Sequence, residues 1–370
     1  MKLVLERNIF LNALAHIQSV VERRNTIPIL ANALLKAENG KLHLTATDMD
    51  LTIAESVEAQ VEQPGQCTAP AHMIYEIVRK LPEGVSISLQ LKSNQLLLTS
   101  ERSKFTFGTL PVDDFPSIDA KPLPHKFALP ANDLRNLIDR TRFAISTEET
   151  RYYLNGIYFH AAQNNDVPVL RSVATDGHRL ARVEMPLPEG AGSIPGVIIP
   201  RKAVNEVRKL LEGADVSVEI SLSETQIRFQ LNNILLTSKL IDGTFPDYER
   251  VIPRENDKIM EIDRRILAQA VDRVATVAAE KTRAIKLSLN PGTLVLSASS
   301  ADQGTATEEL EVNYRADPIE IGFNSRYLLD IAQQMDGDGA CFEMSGADAP
   351  TIVRDLTDTS ALYVLMPMRV

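Results

Sequence analysis

The spacing of hydrophobic residues divides the chain into helix-like and strand-like stretches. In six stretches the apolar residues recur at intervals of three and four, which places them on one face of a helix. Runs in which apolar and polar residues alternate, such as 85–91, 216–222 and 340–346, predict strands. Three of the helical stretches run into a glycine, which is a common helix stop. The six predicted helices are 8–24, 71–84, 131–143, 201–213, 263–277 and 325–338.

These elements occur in the same order three times. A core of Ala46-Thr47-Asp48 in the first copy matches Ala174-Thr175-Asp176 in the second, and Ala298-Ser299-Ser300 takes this place in a weaker third copy. A predicted helix precedes each core, and a second helix and alternating strands follow it. Because the connections are as short as hairpins, the pattern predicts an α+β fold with mainly antiparallel strands.

The repeat length indicates whole domains. Units of about 120 residues are of ordinary domain size. Proline-bearing segments at 119–126 and 251–258 are expected to be linkers. We therefore predict three similar domains, each with two helices packed on antiparallel sheets, at 1–122, 126–253 and 256–370.

Composition excludes several classes of protein. The chain has two cysteines in 370 residues and no CxxC, which argues against a disulfide framework and against a cysteine-based zinc site. The N-terminal residues lack a signal-peptide core, and no apolar run approaches the ~20 residues that span a bilayer. The sequence therefore predicts a cytoplasmic protein without a membrane partner.

Charge is unevenly distributed. The net charge of −10 argues against a nucleic-acid partner, yet the six predicted helices carry more Lys and Arg than Asp and Glu. Arg201, Lys202, Arg208 and Lys209 form the densest basic group. Solvated helix surfaces would explain this bias. Taken alone, this is the favoured explanation, and the alternative is a set of helices that face one polyanion.

Candidate catalytic chemistry is sparse. Asp176 and His178 could form an acid–base pair, but no nucleophile accompanies them, and no cofactor-binding motif occurs. The six histidines form no ligand-like pair, so no metal site is predicted. Asp176-Gly177 instead predicts a two-residue hairpin turn, and Asp48 and Asp50 fit a turn as well. An enzyme centred on Asp176 and His178 is the less favoured hypothesis.

The C-terminal segment suggests a docking surface. Residues 363–365 are predicted to form a final strand. Pro367 is not expected to continue it, because proline cannot donate a hydrogen bond to a sheet. Met366 and Met368 are flexible and polarizable, as suits a surface that accepts related partners. An apolar terminus near an exposed turn could frame a groove for a short peptide. A monomeric peptide-binding scaffold is therefore an alternative.

Four motifs give the chain a family resemblance. "RYYLNG" (151–156), "VATDGHRLA" (173–181), "GTFPDYERVIP" (243–253) and "YVLMPMR" (363–369) resemble the DNA polymerase III beta subunit family, the bacterial replicative sliding clamps. The resemblance implies a non-enzymatic, cofactor-free, head-to-tail homodimer. It closes as a ring of six similar domains, with helices lining a basic hole and sheets outside. Because a ring holds DNA topologically, weak phosphate contacts suffice and an acidic chain is no obstacle.

The resemblance also implies partners and a pocket. The partners are double-stranded DNA of any sequence, the DNA polymerase III catalytic subunit, a clamp loader and other replication and repair proteins with clamp-binding motifs. Such motifs would enter a pocket between the second and third domains. Its expected residues are Leu154, Thr175, Gly177, His178, Arg179, Leu180, Pro246, Arg250, Val251, Asn324, Tyr327, Val364, Met366, Pro367, Met368 and Arg369.

Two further residue sets follow from the same resemblance. DNA contacts are expected at Arg24, Arg79, Lys80, Tyr152, Tyr153, Arg201 and Lys202. The dimer interface is expected at Phe105, Phe107, Val277, Asp302, Glu308 and Glu309. The chain departs from the family pattern at 301–309, which bears on dimer strength, and at Asp348 and Pro350, which bear on partner preference.

Overall fold

The computed structural model describes residues 1–23, 26–116 and 122–370. The chain forms two compact units. Unit 1 comprises Met1–Leu134, Pro188–Pro195 and Lys202–Leu240, and unit 2 comprises Arg135–Leu187, Gly196–Arg201 and Ile241–Val370.

All six predicted helices are present, and the second helix of each repeat ends earlier than expected. Helix α2 stops at Lys80 because Leu81 precedes Pro82, and a residue before proline is disfavoured in helical backbone. Gly84 and Gly213, expected as stops, lie beyond the helix ends with φ of +76° and +68°. The helices are α1 Arg7–Val20, α2 Ala71–Lys80, α3 Ala131–Arg142, α4 Arg201–Leu210, α5 Arg264–Ala275 and α6 Ser325–Ala332.

The strands of the first repeat are β1 Lys2–Glu6, β2 Asn32–Glu38, β3 Lys41–Thr47, β4 Leu51–Glu58, β5 Gln60–Gln63, β6 Gly65–Pro70, β7 Ser86–Lys92, β8 Gln95–Ser100 and β9 Ser103–Gly108. Those of the second are β10 His125–Pro130, β11 Gly156–Asn164, β12 Val167–Thr175, β13 Arg179–Pro186, β14 Val197–Pro200, β15 Ser217–Leu222, β16 Gln226–Leu231 and β17 Ile234–Lys239. Those of the third are β18 Lys258–Asp263, β19 Ala284–Asn290, β20 Thr293–Ser300, β21 Gly304–Glu311, β22 Asn313–Tyr314, β23 Ile319–Asn324, β24 Gly339–Met344, β25 Thr351–Asp355 and β26 Ala361–Leu365.

Unit 1 contains two antiparallel sheets. A five-stranded sheet has the order β5-β1-β7-β8-β9, and an eight-stranded sheet has the order β10-β15-β16-β17-β4-β3-β2-β6. In the larger sheet β17 of the second repeat pairs with β4 of the first, with Thr237 opposite Thr52. Main-chain hydrogen bonds therefore join these two repeats.

Unit 2 also contains two antiparallel sheets. One has nine strands in the order β14-β11-β12-β13-β26-β25-β24-β18-β22, and the other has four in the order β21-β20-β19-β23. Here β13 of the second repeat pairs with β26 of the third, with Ala181 opposite Tyr363. The terminal strand predicted at 363–365 is confirmed as part of β26, and it is the element that joins these repeats.

The threefold repetition of strand, helix, hairpin, helix and further strands is confirmed. The core alignment of the third copy agrees with the structure, since Ala298 is buried in β20 as Ala46 is in β3, but β20 runs one residue further. Ser300 is the last paired residue of β20, opposite Gly304, whereas Asp48 and Asp176 follow the last residues of β3 and β12 and belong to turns. The third hairpin lacks an aspartate at that turn position and closes around residues 301–303 instead.

The helices bury the face that their spacing predicts. Leu134, Leu137 and Ile138 of α3 are buried, as are Ile74 and Val78 of α2. No helix among the described residues is both long enough and apolar enough to cross a membrane.

Candidate functional site

The hairpin turn between β12 and β13 is held by the side chains of its own residues. Asp176 Oδ1 accepts hydrogen bonds from the amides of His178 and Arg179, at 2.9 and 3.0 Å. Thr175 Oγ1 accepts from the Gly177 amide and donates to the Arg179 carbonyl. Gly177 and His178 form the centre of the turn, one residue later than the Asp-Gly pair predicted. The turn leaves Gly177 and His178 exposed.

The first repeat has a sister turn with the same hydrogen bonds. Asp48 Oδ1 accepts from the amides of Asp50 and Leu51, and Thr47 Oγ1 accepts from the amide of Met49 and donates to the carbonyl of Leu51. Met49 takes the place of Gly177 and has a φ of +79°. A non-glycine residue rarely adopts this backbone conformation. The shared Thr-Asp pair therefore fixes the turn whatever residue follows it.

Gly177 also lies close to the side chain of Arg151. Its φ is +87°, and a Cβ at this position would lie 2.6 Å from Nη1 of Arg151. Arg151 is held there by Glu148, whose carboxylate accepts from Nε and Nη2 at 2.7 and 2.6 Å. The guanidinium of Arg151 therefore covers the turn where a side chain would otherwise project.

Arg179 is buried and connects the turn to elements distant in sequence. Its Nε donates to Asp176 at 3.1 Å and its Nη1 to Asp330 of α6 at 2.6 Å. The guanidinium also lies over the rings of Phe143 and Tyr327, 5.0 and 4.3 Å from their centroids. The Asp176 carboxylate is thus occupied by two amides and a guanidinium, which gives it a structural role rather than that of a free base.

An apolar cluster brings together predicted residues from three parts of the chain. Leu154, Leu180 and Val364 are all buried in it. Phe245 and Tyr248, on either side of Pro246 and Asp247, belong to the same cluster. The sequence did not single out the remaining members, which are Val173, Ile198, Ile352 and Leu362.

The C-terminal segment attaches to this site at two points. The amide of Met366 donates to the carbonyl of His178 at 2.9 Å, and the amide of Met368 donates to the carbonyl of Gly322 at 2.8 Å. A Cβ on Gly322 would lie 2.4 Å from Val370, so only glycine permits this approach. Pro367, which has no amide hydrogen, lies between the two donors. Met366 and Arg369 are exposed, and Pro367 and Met368 are half-buried.

The 3₁₀ turn Tyr248–Val251, hereafter the 248–251 turn, carries exposed residues of the predicted pocket. The side chain of Arg250 is 84% exposed and pairs with Asp247 at 2.7 Å. Val251 is half exposed, and Pro246 is exposed just before the turn. These three residues are free to meet a partner, unlike Arg179.

Asn324 and Tyr327 have structural contacts of their own. The side chain of Asn324 caps α6 by accepting from the Arg326 amide at 3.0 Å. Tyr327 packs its ring against Arg179. Tyr327 therefore supports the turn through Arg179, and Asn324 fixes the start of the helix that carries Tyr327.

A buried polar network lies beside the 248–251 turn and was not predicted. Arg171 of β12 donates to Glu184 at 2.8 Å, to the Tyr248 hydroxyl at 3.1 Å and to Glu249. Tyr248 Oη lies 3.0 Å from Nε2 of His160. Burial raises the pKa of Tyr248 to about 12 and lowers that of His160 below its usual range.

Three residues of the expected DNA-contact set lie close together in unit 2. Tyr152 and Tyr153 belong to the 3₁₀ turn Glu149–Leu154, and their rings contact edge to face at 5.8 Å. The amide of Arg201, at the start of α4, donates to the carbonyl of Asn155 directly after that turn, at 3.0 Å. Tyr152 and Arg201 are exposed.

The basic residues of the set in unit 1 already have acidic neighbours. Lys202 Nζ lies 2.5 Å from Asp48 and 2.9 Å from Glu22. Arg79 and Lys80 both pair with Glu76 on the exposed surface of α2. Arg24 lies outside the described residues.

The residues expected at the dimer interface lie on or beside strands at sheet edges. β9, which holds Phe105 and Phe107, is the last strand of the five-stranded sheet, and β21, which holds Glu308 and Glu309, is the last strand of the four-stranded sheet. Phe107 is buried in its own sheet, and Glu308 pairs with Arg273 at 2.5 Å. Asp302 is exposed in the turn before β21, and Val277 is half-buried after α5.

Among the described residues, no cluster of three or more His, Cys, Asp or Glu side chains could hold a metal ion. What the geometry offers is an exposed turn, a C-terminal segment and the 248–251 turn around an apolar cluster. Exposed turns beside apolar side chains offer both the polar and the apolar contacts that a short peptide uses.

Comparison with known proteins defines the class. The three domain models of the DNA polymerase III beta subunit match residues 1–119 (N-terminal domain), 128–247 (central domain) and 249–369 (C-terminal domain). The beta sliding clamp of Caulobacter vibrioides (strain NA1000 / CB15N) is 52% identical over 372 residues, which is 100% of both chains.

Two solved sliding clamps have the same structure. The DnaN sliding clamp from Bartonella birtlesii bound to griselimycin has a TM-score of 0.98 at 50% identity, and the one from Pseudomonas aeruginosa bound to griselimycin has 0.95 at 38% identity. Each comparison covers 100% of both chains. The fold is that of a sliding clamp. The chain belongs to the DNA polymerase III beta subunit family, and its function is that of a replicative processivity factor.

Proposed function

We propose that this chain forms a head-to-tail homodimer that encircles duplex DNA in the cytoplasm. Its partner proteins bind at the site described above. It acts without catalysis or a cofactor. The observation that supports the partner site is the meeting of the turn at His178, the C-terminal segment and the 248–251 turn around one apolar cluster. The partners are the DNA polymerase III catalytic subunit, a clamp loader and other proteins with clamp-binding motifs. The three domains span 1–122, 126–253 and 256–370.

The partner pocket, in this proposal, has residues of two kinds. Leu154, Leu180 and Val364 form its apolar floor, and Gly177, His178, Pro246, Arg250, Val251, Met366, Pro367, Met368 and Arg369 contact the partner. Thr175, Arg179 and Tyr327 hold the turn in place, and Asn324 caps the helix that carries Tyr327. Because its relatives were solved with griselimycin bound, we propose that this chain also binds griselimycin, in this pocket.

The DNA-contacting surface comprises Arg24, Arg79, Lys80, Tyr152, Tyr153, Arg201 and Lys202. Exposed Arg201 and Tyr152 offer a positive charge and an aromatic ring at one place, which suits a sugar–phosphate backbone. Lys202 contributes less than Arg201 because two carboxylates already neutralise its charge.

The dimer forms by pairing of the edge strands β9 and β21, at Phe105, Phe107, Val277, Asp302, Glu308 and Glu309. An unpaired edge strand offers free backbone donors and acceptors to another chain. Arg102 and Lys104 lie just before Phe105 and would meet the acidic strand β21. These opposite charges favour one orientation of the two edges.

Retention on circular DNA tests the ring. The clamp, loaded by its loader onto nicked circular duplex, should stay bound through gel filtration and should be lost when the circle is linearised, because only a topological link distinguishes the two forms. Equal retention on both would refute encirclement, and a monomer in sedimentation would favour the peptide-binding scaffold instead.

Truncation tests the pocket. Removing Met366 to Val370 should abolish binding of a polymerase peptide while the dimer persists, since the segment lies at the site and not at β9 or β21. Unchanged peptide affinity would contradict the assignment. A specific catalytic activity lost in His178→Ala would revive the enzyme hypothesis.

A further inference from the structure

We propose that Arg171 is a positioning residue for the partner pocket: it anchors the 248–251 turn through Tyr248 and Glu249 and so fixes Pro246, Arg250 and Val251 where the partner meets them. The proposal rests on the proposed function. It adds to the partner pocket a residue that is buried behind the 248–251 turn. Glu249 and Tyr248 are the turn residues on which it acts.

The anchor begins as a row of polar side chains across three strands. His160 of β11 lies opposite Arg171 of β12, and Arg171 lies opposite Glu184 of β13. Side chains directly opposite one another share a face of the sheet. The neighbouring residue Ser172 bonds to Thr141 of α3, so the Arg171 row is on the other face of the sheet from α3.

Arg171 reaches from this row to the 248–251 turn. Its Nε bonds to Glu184 within the sheet, while its Nη1 donates to the Tyr248 hydroxyl at 3.1 Å and to Glu249. The side chains of Arg171 and Glu184 are 6% and 7% exposed, whereas that of Glu249 is 42% exposed. A buried guanidinium fork pre-organises the geometry of both acceptors. It therefore fixes two successive residues of the turn.

The hydrogen bonds beyond Arg171 have a defined direction. The Ala161 carbonyl can only accept, so Nδ1 of His160, 3.0 Å away, carries the proton. Nε2 of neutral His160 then accepts from the Tyr248 hydroxyl, whose oxygen accepts from Arg171. Each donor and acceptor in this series of hydrogen bonds has a partner, and such satisfied buried networks specify a single arrangement.

Aromatic stacking fixes the segment before the turn. The ring of Tyr158 stacks on Phe245 at 4.9 Å and on His160 at 4.4 Å. Exposed Pro246 therefore lies between two fixed residues. Phe245 is held by stacking on Tyr158, and Tyr248 is held by its hydrogen bond to Arg171. The exposed residues of this segment are held less firmly: Arg250 pairs with Asp247 at the surface. Their position depends on the anchored residues between them.

The experiment measures affinity for fluorescently labelled griselimycin and for a labelled peptide from the polymerase III catalytic subunit. Glu249→Ala and Tyr248→Phe should each weaken binding about tenfold, and Glu249→Gln, which retains an acceptor, should recover most of the affinity. Glu343→Ala is the matched control, because Glu343 also pairs with an arginine of unit 2, Arg354, at 2.8 Å, but on β24. It should bind as the parent does.

Two further measurements separate positioning from general stability. The methyl NMR signals of Val251 should shift in Glu249→Ala while that of Met366 does not, and retention on nicked circular DNA should be unchanged. Arg171→Gln should reproduce the affinity loss; if it fails to fold, the Glu249 and Tyr248 variants decide the matter, since Glu249 is at the surface. Parent-like affinity in both variants would overturn the proposal. Failure of the parent protein to bind either probe would instead overturn the proposed pocket.

Discussion

Arg179 of the hairpin turn and Asp330 of α6 form an ion pair, with Nη1 and Oδ2 2.6 Å apart. The corresponding turn of the first repeat also forms one, but with the charges exchanged: Asp48 of the turn pairs with Lys202 of α4 at 2.5 Å. In both places a turn at the end of one repeat's hairpin is joined to the second helix of the next repeat. The repeated geometry therefore tolerates a reversal of polarity.

Arg179→Ala should destabilise the protein substantially. The change removes hydrogen bonds to Asp176, Asp330 and the Phe143 carbonyl and leaves two carboxylates without their guanidinium. Breaking a buried ion pair costs about 3–5 kcal/mol, and the partial exposure of Asp330 puts the expectation at about 3 kcal/mol. Urea unfolding at fixed protein concentration measures it.

Arg250→Ala is the control for that measurement. The Arg250 side chain is 84% exposed and its pair with Asp247 lies at the surface, so its loss should change the free energy of unfolding by no more than about 0.5 kcal/mol. Equal effects of the two substitutions would show that the contacts of Arg179 do not stabilise the fold.

The sister turns give opposite expectations for glycine. Met49→Gly should stabilise the first turn by about 0.5–1 kcal/mol, because Met49 has a φ of +79° that glycine adopts without a steric cost. Gly177→Ala should destabilise the second turn by about 1–2 kcal/mol, because a residue with a Cβ is disfavoured at a φ of +87° and the new Cβ would displace Arg151. Differential scanning calorimetry of both variants checks the pair. A loss of stability in Met49→Gly would mean that the Met49 side chain contributes more than its backbone costs.

Local signals made much of this fold predictable. The spacing of Leu134, Leu137 and Ile138 predicted the buried face of α3, and the Thr-Asp core predicted the sister turns. These features depend on residues within one or two turns of chain. The helix ends were predicted less well, because a proline at position 82 and not the later Gly84 ended α2.

The long-range part of the site was not predictable from local pattern. Arg171 is separated from Tyr248 by 77 residues and from Glu184 by 13, and only the strand register brings the three together. Asp330 is 151 residues from Arg179. The resemblance to a family supplied the expected pocket residues, but it did not supply Arg171 and Glu184, which lie behind the 248–251 turn. Those follow from cross-strand pairing, which a single sequence does not display.

Arg201 and Lys202 are adjacent in sequence but should differ in their effect on DNA binding. Each phosphate contact contributes about 0.9 to the slope of log affinity against log salt. Arg201→Ala should therefore lower the slope by about 1, while Lys202→Ala should change it little because Asp48 and Glu22 already neutralise the Lys202 charge. Fluorescence anisotropy of a short duplex across a series of NaCl concentrations measures both. A larger change for Lys202 would mean that DNA displaces these carboxylates.

His160 should make the stability of the protein fall in mildly acidic solution. Burial lowers its pKa below the usual 6.5, and Arg171 lowers it further, against opposing contributions from the Ala161 carbonyl and Glu249. The unfolded chain therefore binds a proton at a higher pH than the folded chain. This contribution to stability is present above pH 6.5 and is lost as the pH falls towards the lowered pKa.

His160→Gln tests this origin of the pH dependence. The variant should be less stable than the parent at pH 7.5, by about 1–2 kcal/mol, because the hydrogen bond to Tyr248 and the stack on Tyr158 are weakened. Glutamine does not titrate, so the difference between parent and variant should shrink as the pH is lowered from 7.5 to 5.5, by at most about 1.4 kcal/mol per pH unit. Urea unfolding at a series of pH values measures the difference, with Glu184, Glu249 and Arg182 unchanged in both proteins. A constant difference across the series would show that His160 remains neutral in the unfolded chain or is protonated equally in both states.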